Sequence, residues 1–174
     1  MGASLRQGRT ALLALSCALL LGCGFHLRGM VSVPETLKLV HLSHPANSRV
    51  ARPLERQLRA NDIKLLELTA ARYHLELLSE RHDRRAATLT PNAKAEEYEL
   101  RSQVRFAIRD PKGTLLIEPQ ELLVERIYRF DENNINAKAA EEALLRQEMY
   151  EDLARQVVRR YLSTGQAEKS AALP

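Results

Sequence analysis

Three pairs of residues in this sequence have types and spacings that could serve metal or acid–base chemistry. His41 and His44 are separated by two residues, and Glu96-Glu97 and Glu141-Glu142 are adjacent carboxylates. The histidines flank the end of a predicted strand, where they cannot share a face, and no clustered Cys or carboxylate completes a tetrahedral set. Adjacent carboxylates on a strand or helix are usually solvated charges. We therefore expect neither a metal nor another cofactor at these positions.

Catalytic motifs of fixed spacing do not occur in the sequence. It contains no G-x-S-x-G, H-E-x-x-H or G-x-x-x-x-G-K stretch. A site assembled from residues that are distant in sequence would escape such a search. The prediction is that the chain is not an enzyme, with a hydrolase as the minor alternative.

Cys23 is the residue whose setting points to covalent modification. Arg6 and Arg9 precede an uncharged, largely apolar block from Ala11 to Leu21, which is the layout of a secretory signal. As a helix the block would reach about 16 Å, too short for the roughly 30 Å hydrocarbon core of a bilayer. The stretch Leu20-Leu21-Gly22-Cys23 resembles a bacterial lipobox, in which the cysteine becomes the acylated first residue. The alternative is an ordinary signal with an incidental thiol.

Cysteine usage favours the acylated form. Cys17 lies inside the apolar block and would leave with it, so the mature chain would hold a single thiol and could form no internal disulfide. Two or three acyl chains hold a protein firmly to a bilayer, whereas one is a marginal anchor. Because Gly24 rather than Asp follows the cysteine, the likeness to lipoproteins implies the outer membrane, on its periplasmic side.

The predicted organisation is a signal peptide at 1–22, a single domain at 23–163 and a disordered tail at 164–174. Loss of Arg6 and Arg9 lowers Lys+Arg from 26 to 24 against 22 acidic residues, a formal net charge of +2. The charges are interspersed rather than blocked. We expect no nucleic-acid partner.

The first half of the domain predicts a strand, a helix and two further strands. The stretch 36–43 alternates in polarity, and Val50, Leu54 and Leu58 recur on one helical face after a possible cap at Ser48. Pro53 means that this helix either begins later than Ser48 or bends in its first turns. The strands are predicted at 63–68 and from Tyr73 onward.

The second half predicts a hairpin and a long helix. Even positions from Tyr98 to Ile108 are mostly apolar and odd positions are mostly polar, which is the period of a half-buried strand. Asp110-Pro111-Lys112-Gly113 is a turn sequence, and Pro119 predicts an edge position or a bulge in the returning strand at 114–130. A helix follows from about Asn134 to Leu162, with Gly165 as its stop; its apolar stripe is Leu145, Met149, Leu153, Val157 and Tyr161.

These elements predict an α+β fold. It is a two-layer sandwich with a mostly antiparallel sheet of about four strands and two α-helices packed on one face, because two amphipathic helices and a sheet with one apolar face bury each other in that arrangement. The opposite face of the sheet would stay open.

Cations concentrate around the predicted hairpin. Arg101, Arg105 and Arg109 are spaced by even intervals and so point to one side of their strand. The stretch 80–85, with Arg84 and Arg85, would add cations beside the turn that leads into this strand, and Lys94 lies across that turn. The cluster could bind phosphates through arginine, or it could keep a sheet edge soluble and discourage edge-to-edge pairing; the residues leave both interpretations open.

Several short stretches, in their order and spacing, resemble a known family. They are Cys23-Gly24-Phe25-His26-Leu27-Arg28-Gly29, Val33-Pro34 with Leu37-Lys38, Gln57-Leu58-Arg59-Ala60-Asn61, Ala95-Glu96-Glu97-Tyr98, and Ala137-Lys138 before Glu148-Met149-Tyr150. Together they resemble the LptE (RlpB) family of lipopolysaccharide-assembly lipoproteins over nearly all of the mature chain.

The resemblance implies a protein that plugs and helps to assemble the outer-membrane β-barrel LptD, binds lipopolysaccharide, and takes part in its transport to the outer leaflet. It places the protein in the outer membrane, anchored through Cys23, on the periplasmic side and within the barrel lumen. An accessory outer-membrane lipoprotein with a different partner is the alternative.

The resemblance also implies contacts with lipopolysaccharide. A family lysine near the start of the second helix matches Lys138. A second family cation falls where this chain has Pro91, so Arg84, Arg85 or Lys94 would have to supply that charge.

Overall fold

The sheet has five strands in the order β2-β1-β3-β4-β5. The computed structural model describes residues 33–92 and 94–171; Cys23 and the predicted signal peptide lie outside them. The strands are β1 (Leu39–Ser43), β2 (Lys64–Leu65), β3 (Tyr73–Leu89), β4 (Ala95–Arg109) and β5 (Leu115–Arg129), and the α-helices are α1 (Ala51–Ala60) and α2 (Ile135–Ala171). Short 3-10 helices occupy Glu35–Lys38 and Glu132–Asn134.

The predicted α+β architecture is confirmed, with one strand more than the four expected. β1 pairs in parallel with β2 and β3, whereas β3, β4 and β5 form an antiparallel meander. The fifth strand is β2, which contributes only two residues. Both α-helices lie on one side of the sheet.

The period-two pattern of β4 is confirmed by burial. Leu100, Val104, Phe106 and Ile108 are fully buried beneath the helices. The turn after β4 forms as expected, because Gly113 N donates to Asp110 O at 3.0 Å and Gly113 adopts φ +84°, a conformation that glycine accepts without steric cost. The carboxylate of Asp110 also accepts hydrogen bonds from Lys112 N and Thr114 N, each at 2.8 Å.

Pro119 lies both at an edge and at a bulge, as its sequence position predicted. β5 is the outer strand of the meander. Phe106 of β4 pairs with Gln120, but Ile108 pairs with Ile117, so β5 carries an extra residue across Pro119. A residue without an amide hydrogen is tolerated there because no ladder bond is required of it.

β3 is longer than its apolar sequence suggests. It continues to Leu89, so residues 80–85 lie within the strand, and the prediction that they flank a turn is wrong. A register shift between Leu77 and Ser79 makes Leu78 the extra residue of a bulge. Such a bulge changes which alternate residues face the helices, so Leu75 and Leu77 face them before it, and Glu80, His82 and Arg84 face them after it.

α1 begins later than Ser48, which resolves the position of Pro53. The helix starts at Ala51, so Pro53 lies in its first turn, where no intrahelical amide bond is lost. Ser48 Oγ accepts a hydrogen bond from Ala51 N at 2.8 Å, and the carboxylate of Glu80 accepts from Arg49 N at 2.8 Å. Strand β3 thus supplies the acceptor that the start of α1 needs.

α2 carries the predicted apolar stripe but does not end where predicted. Met149, Leu153, Val157 and Tyr161 are fully buried. The helix runs through Gly165 to Ala171, so the predicted stop at Gly165 is wrong. Residues 172–174 of the predicted tail lie outside the described part, and the domain boundaries themselves stay predictions.

Candidate functional site

Lys94 and Lys138, two of the four cations predicted to contact lipopolysaccharide, line a single cavity of about 600 Å³. The cavity lies between the β3–β4 turn and the connection from β5 to α2. Its walls are joined by hydrogen bonds from Thr90 N to Lys94 O at 2.8 Å and from Phe130 N to Glu96 O at 2.9 Å. The described residues that line it are Thr90, Lys94, Ala95, Glu96, Arg129, Phe130, Asp131, Glu132, Asn133 and Lys138.

The start of α2 is fixed beside this cavity by Asp131. Its carboxylate accepts hydrogen bonds from Asn133 N at 2.9 Å and from Asn134 Nδ2 at 2.7 Å. The hydrogen bond from Asn134, followed by that from the Asn133 amide, lowers the pKa of Asp131. An ionised acceptor at this point caps the 3-10 helix at Glu132–Asn134, which leads directly into the first turn of α2, with Lys138.

Each cation of the cavity already has an acidic partner. Lys94 Nζ lies 2.9 Å from Glu132 Oε2, Lys138 Nζ lies 2.8 Å from Glu141 Oε2, and Arg129 Nη2 lies 2.7 Å from the Glu96 carboxylate. Ion pairs open to solvent contribute about 0–1 kcal/mol. An anion with more charge than a carboxylate, such as a phosphate group, can therefore displace these partners at small cost.

Arg84 lies away from this cavity, in an ion network that joins the sheet to α2. Its Nη1 donates to Glu142 Oε2 at 2.9 Å, and its guanidinium lies 4.4 Å from the centre of the Tyr98 ring. Glu142 also accepts hydrogen bonds from Tyr128 Oη at 2.6 Å and from Arg146 Nε at 2.9 Å. Arg84 thus connects β3 to α2.

The electrostatics of the network follow from partial burial. Burial, followed by the hydrogen bond to Glu142, raises the pKa of Tyr128 to about 12. Burial alone would raise the pKa of Glu142, but hydrogen bonds from Tyr128, Arg146 and Arg84 lower it to about 2. Glu142 therefore stays ionised and holds Arg84 and Arg146 in the helix layer.

Arg85 faces the opposite side of the sheet, because adjacent residues of a strand point to opposite faces. It pairs with Glu99 across the β3–β4 ladder, and this hydrogen bond lowers the pKa of Glu99. Next to it, Arg101 Nε lies 2.7 Å from Glu125 Oε1. The open face of the sheet is thus a surface of alternating charge rather than a uniformly basic one.

The four predicted cations therefore divide among three places. Lys94 and Lys138 come together, whereas Arg84 and Arg85 occupy the two faces of β3. Sequence reasoning missed Arg129, which lines the cavity with the two lysines. Its position at the end of β5, opposite Glu97 at the start of β4, was available only from the hairpin register.

His41 and His44 make ordinary hydrogen-bond contacts with backbone carbonyl groups. His41 Nδ1 lies 2.9 Å from Leu66 O, and His44 Nδ1 lies 2.9 Å from Pro45 O. Within residues 33–92 and 94–171, no three His, Cys, Asp or Glu side chains are grouped to hold a metal ion. None of the helices in that part of the chain has the length and apolarity needed to cross a membrane.

Comparison with known proteins gives a consistent result. The family described as lipopolysaccharide-assembly, LptE, matches residues 36–161. A protein from Photorhabdus laumondii named LPS-assembly lipoprotein LptE is 33% identical over 165 residues, covering 94% of this chain and 90% of its own length.

Solved structures show the same fold. A lipoprotein B from Nitrosomonas europaea superposes with a TM-score of 0.72 at 26% identity, covering 86% of this chain and 97% of its own. The rare lipoprotein B of Shewanella oneidensis gives a TM-score of 0.66 at 27% identity, covering 75% and 98%.

Proposed function

This chain belongs to the LptE family of lipopolysaccharide-assembly proteins, and on that premise we propose that it is an outer-membrane lipoprotein that plugs and helps to assemble the LptD β-barrel. In this proposal acyl chains on Cys23 hold it to the periplasmic side of the outer membrane. The domain enters the barrel lumen and takes part in passing lipopolysaccharide to the outer leaflet. Relatives named as LPS-assembly lipoproteins support this assignment.

The observation that carries the binding part of the proposal is the convergence of Lys94 and Lys138 on one cavity. Their sequence separation is large, yet the β3–β4 turn and the start of α2 bring both residues to the lining of the same cavity. We assign to Lys94 the charge that the family pattern would place at Pro91. Phosphate groups of lipid A would replace Glu132 and Glu141 as partners of the two lysines.

Arg84 and Arg85 have a different part in this proposal. Arg84 is engaged by Glu142 and Tyr98, and Arg85 by Glu99. Both are therefore assigned to holding the domain together rather than to direct contact with lipopolysaccharide.

The open sheet face supports the plugging role. Arg85–Glu99 and Arg101–Glu125 cover it with charge, and the interior of a transmembrane β-barrel is polar. On the same face Ile127, opposite Glu99, is 62% exposed, and Leu123, opposite Gln103, is 39% exposed. They add apolar area that a surrounding barrel wall would bury.

The test combines Lys94→Glu with Lys138→Glu in the full chain and measures lipopolysaccharide capture and LptD co-purification from outer-membrane extracts. We expect lipopolysaccharide capture to fall while LptD still co-purifies, because the reversed charges repel phosphate without disturbing the core. Lys112→Glu in the distant β4–β5 turn is the control and should leave both unchanged. Undiminished lipopolysaccharide capture by the double variant would remove the cavity from the proposal, and a different co-purifying protein would favour the alternative of another partner.

A further inference from the structure

A second cavity, of about 580 Å³, lies between the start of α1 and the middle of α2. Three arginines line it: Arg49 just before α1, and Arg52 and Arg56 within that helix. Gln147 and Tyr150 of α2 close the opposite side. None of the described residues in its lining is acidic.

The positive charge of this cavity is largely uncompensated. Arg56 Nη2 lies 2.9 Å from Glu151 Oε1, but the side chains of Arg49 and Arg52 form no ion pair within the described part of the chain. The cavity around Lys94 differs, since its three cations face Glu96, Asp131 and Glu132. The lining of the first cavity is thus balanced in charge, whereas that of the second is positive.

The carboxylate of Glu80, which lies at the start of α1, already accepts hydrogen bonds from that segment. Glu80 accepts hydrogen bonds from Arg49 N at 2.8 Å and Val50 N at 3.4 Å, and from the hydroxyl of Ser48. Its carboxylate therefore serves backbone groups and fixes the segment that carries Arg49. The guanidinium of Arg49 keeps its donors for another acceptor.

The arginines that line this cavity also repel one another. Arg52 and Arg56 are four positions apart on α1, and like charges at that spacing destabilise a helix. Guanidinium groups offer several donors in a planar fork that matches the oxygens of phosphate. An anion in the cavity would reduce the repulsion and satisfy these donors.

We propose that Arg49, Arg52 and Arg56 form a site for a phosphate group, either free or as the ester of a lipid headgroup. The site is separate from the one assigned to Lys138, because Gln147 lies nine positions further along α2, about 14 Å at the rise of an α-helix. The inference does not depend on the proposed binding of lipopolysaccharide at the Lys94–Lys138 cavity.

Calorimetric titration of the full chain in a neutral detergent tests the site, with inorganic phosphate and with glycerophosphoglycerol, the deacylated headgroup of phosphatidylglycerol. The variant is Arg49→Gln with Arg52→Gln. The control is Arg59→Gln with Arg159→Gln, which removes the same charge from exposed positions outside the cavity. Loss of two charge-assisted contacts should weaken binding about tenfold or more in the variant, with little change in the control.

The two ligands distinguish the sources of the phosphate. If the unaltered chain binds both ligands and the variant binds neither, the site accepts lipid headgroup esters. If the unaltered chain binds only inorganic phosphate and the variant does not, the site is one for the free ion. Absence of binding by the unaltered chain, or equal weakening in variant and control, would overturn the proposal.

A measurement on the unaltered chain makes the test independent of how the variants fold. Phenylglyoxal modifies accessible arginines, and mass spectrometry locates the modified residues. Phosphate should protect Arg49 and Arg52 but not Arg59. Equal protection of all three arginines, or no protection of Arg49 and Arg52, would contradict the proposed site. Lys94→Glu with Lys138→Glu should leave this protection intact, which separates failure here from failure of the proposed lipopolysaccharide contact.

Discussion

Gly165 of α2 passes so close to Leu37 that a Cβ at this position would lie 2.5 Å from Leu37 Cδ1. Leu37 is fully buried, and its carbonyl oxygen accepts a hydrogen bond from Tyr161 Oη at 2.7 Å. The end of α2 is therefore joined to the 3-10 helix at Glu35–Lys38 by both packing and hydrogen bonding.

Gly165→Ala should destabilise the protein although alanine favours helices. Overpacking of a core costs about 1–3 kcal/mol, which exceeds the gain of up to about 1 kcal/mol from replacing glycine in a helix. The free energy of unfolding, measured by urea denaturation, should fall. In a Leu37→Ala background the clash is absent, so there Gly165→Ala should be neutral or stabilising. A loss of equal size in both backgrounds would contradict the packing explanation.

Glu142→Gln should remove a pH-dependent stabilisation. The folded pKa of about 2 lies below the usual 4.5, so the contribution of Glu142 is present above about pH 4.5 and is lost as the pH falls toward 2. The shift corresponds to about 3 kcal/mol at neutral pH, for a side chain that is 16% exposed. Urea denaturation of both proteins between pH 2 and 7 checks the convergence of their stabilities.

Glu141→Gln is the neighbouring control for this experiment. Glu141 pairs with Lys138 at the surface and its side chain is 44% exposed, so its loss should change the free energy of unfolding by less than about 1 kcal/mol. A difference between the Glu142 variant and the original chain that does not vary with pH would refute the electrostatic explanation.

Glu80→Ala should weaken the attachment of α1 to the sheet. The side chain is 8% exposed, and its removal leaves two amides and the Ser48 hydroxyl without their acceptor, which costs about 1–3 kcal/mol. Circular dichroism during urea titration would register the loss. Glu76→Ala, at an acid that lies 3.7 Å from Arg109 and is 32% exposed, should have a much smaller effect; equal losses would mean that the contacts of Glu80 with α1 do not matter.

Cys23→Ala should abolish membrane attachment. Without acyl chains the mature chain loses the anchor that the proposed function requires. Detergent phase partitioning and fractionation of cell envelopes would measure this, with the fold checked by circular dichroism. Retention of the variant in the outer-membrane fraction, in cells without LptD, would contradict the anchor.

The elements with one buried face were predictable from sequence. In β4 the apolar residues Leu100, Val104 and Phe106 alternate with polar ones, and in α2 the stripe through Leu153 and Val157 has helical spacing. In both cases the buried residues recur at the spacing of the element, so the spacing of apolar residues in the sequence identifies it.

The second half of β3 was not predictable in this way. Its helix-facing residues are polar, and their partners come from distant elements: Ser48 for Glu80, Tyr150 for His82 and Glu142 for Arg84. The role of Gly165 was hidden for the same reason, since the side chain that requires it belongs to Leu37. Local pattern cannot report contacts between residues so distant in sequence.

The candidate site shows the same limit. Lys94 and Lys138 could be named individually, but their shared cavity depends on where the β5 hairpin ends and α2 begins. Arg84 and Arg85 are adjacent in sequence, which predicts that they belong to one cluster. In a strand, however, successive side chains point to opposite faces of the sheet.

The bulge at Leu78 shifts by one residue the alternation of β3 between side chains that face the helices and side chains that face away from them. Before the bulge, the helix-facing residues of the strand are apolar. If the same alternation continued without the bulge, Glu80, His82 and Arg84 would face away from the helices. Their neighbours Arg81, Asp83 and Arg85 would face the helices instead. Excising that single residue should therefore leave Glu80, His82 and Arg84 on the helix side, because Leu77 and Ser79 already pair with the consecutive residues Phe106 and Arg105; adding a residue to the strand without such a bulge would instead exchange its two sides.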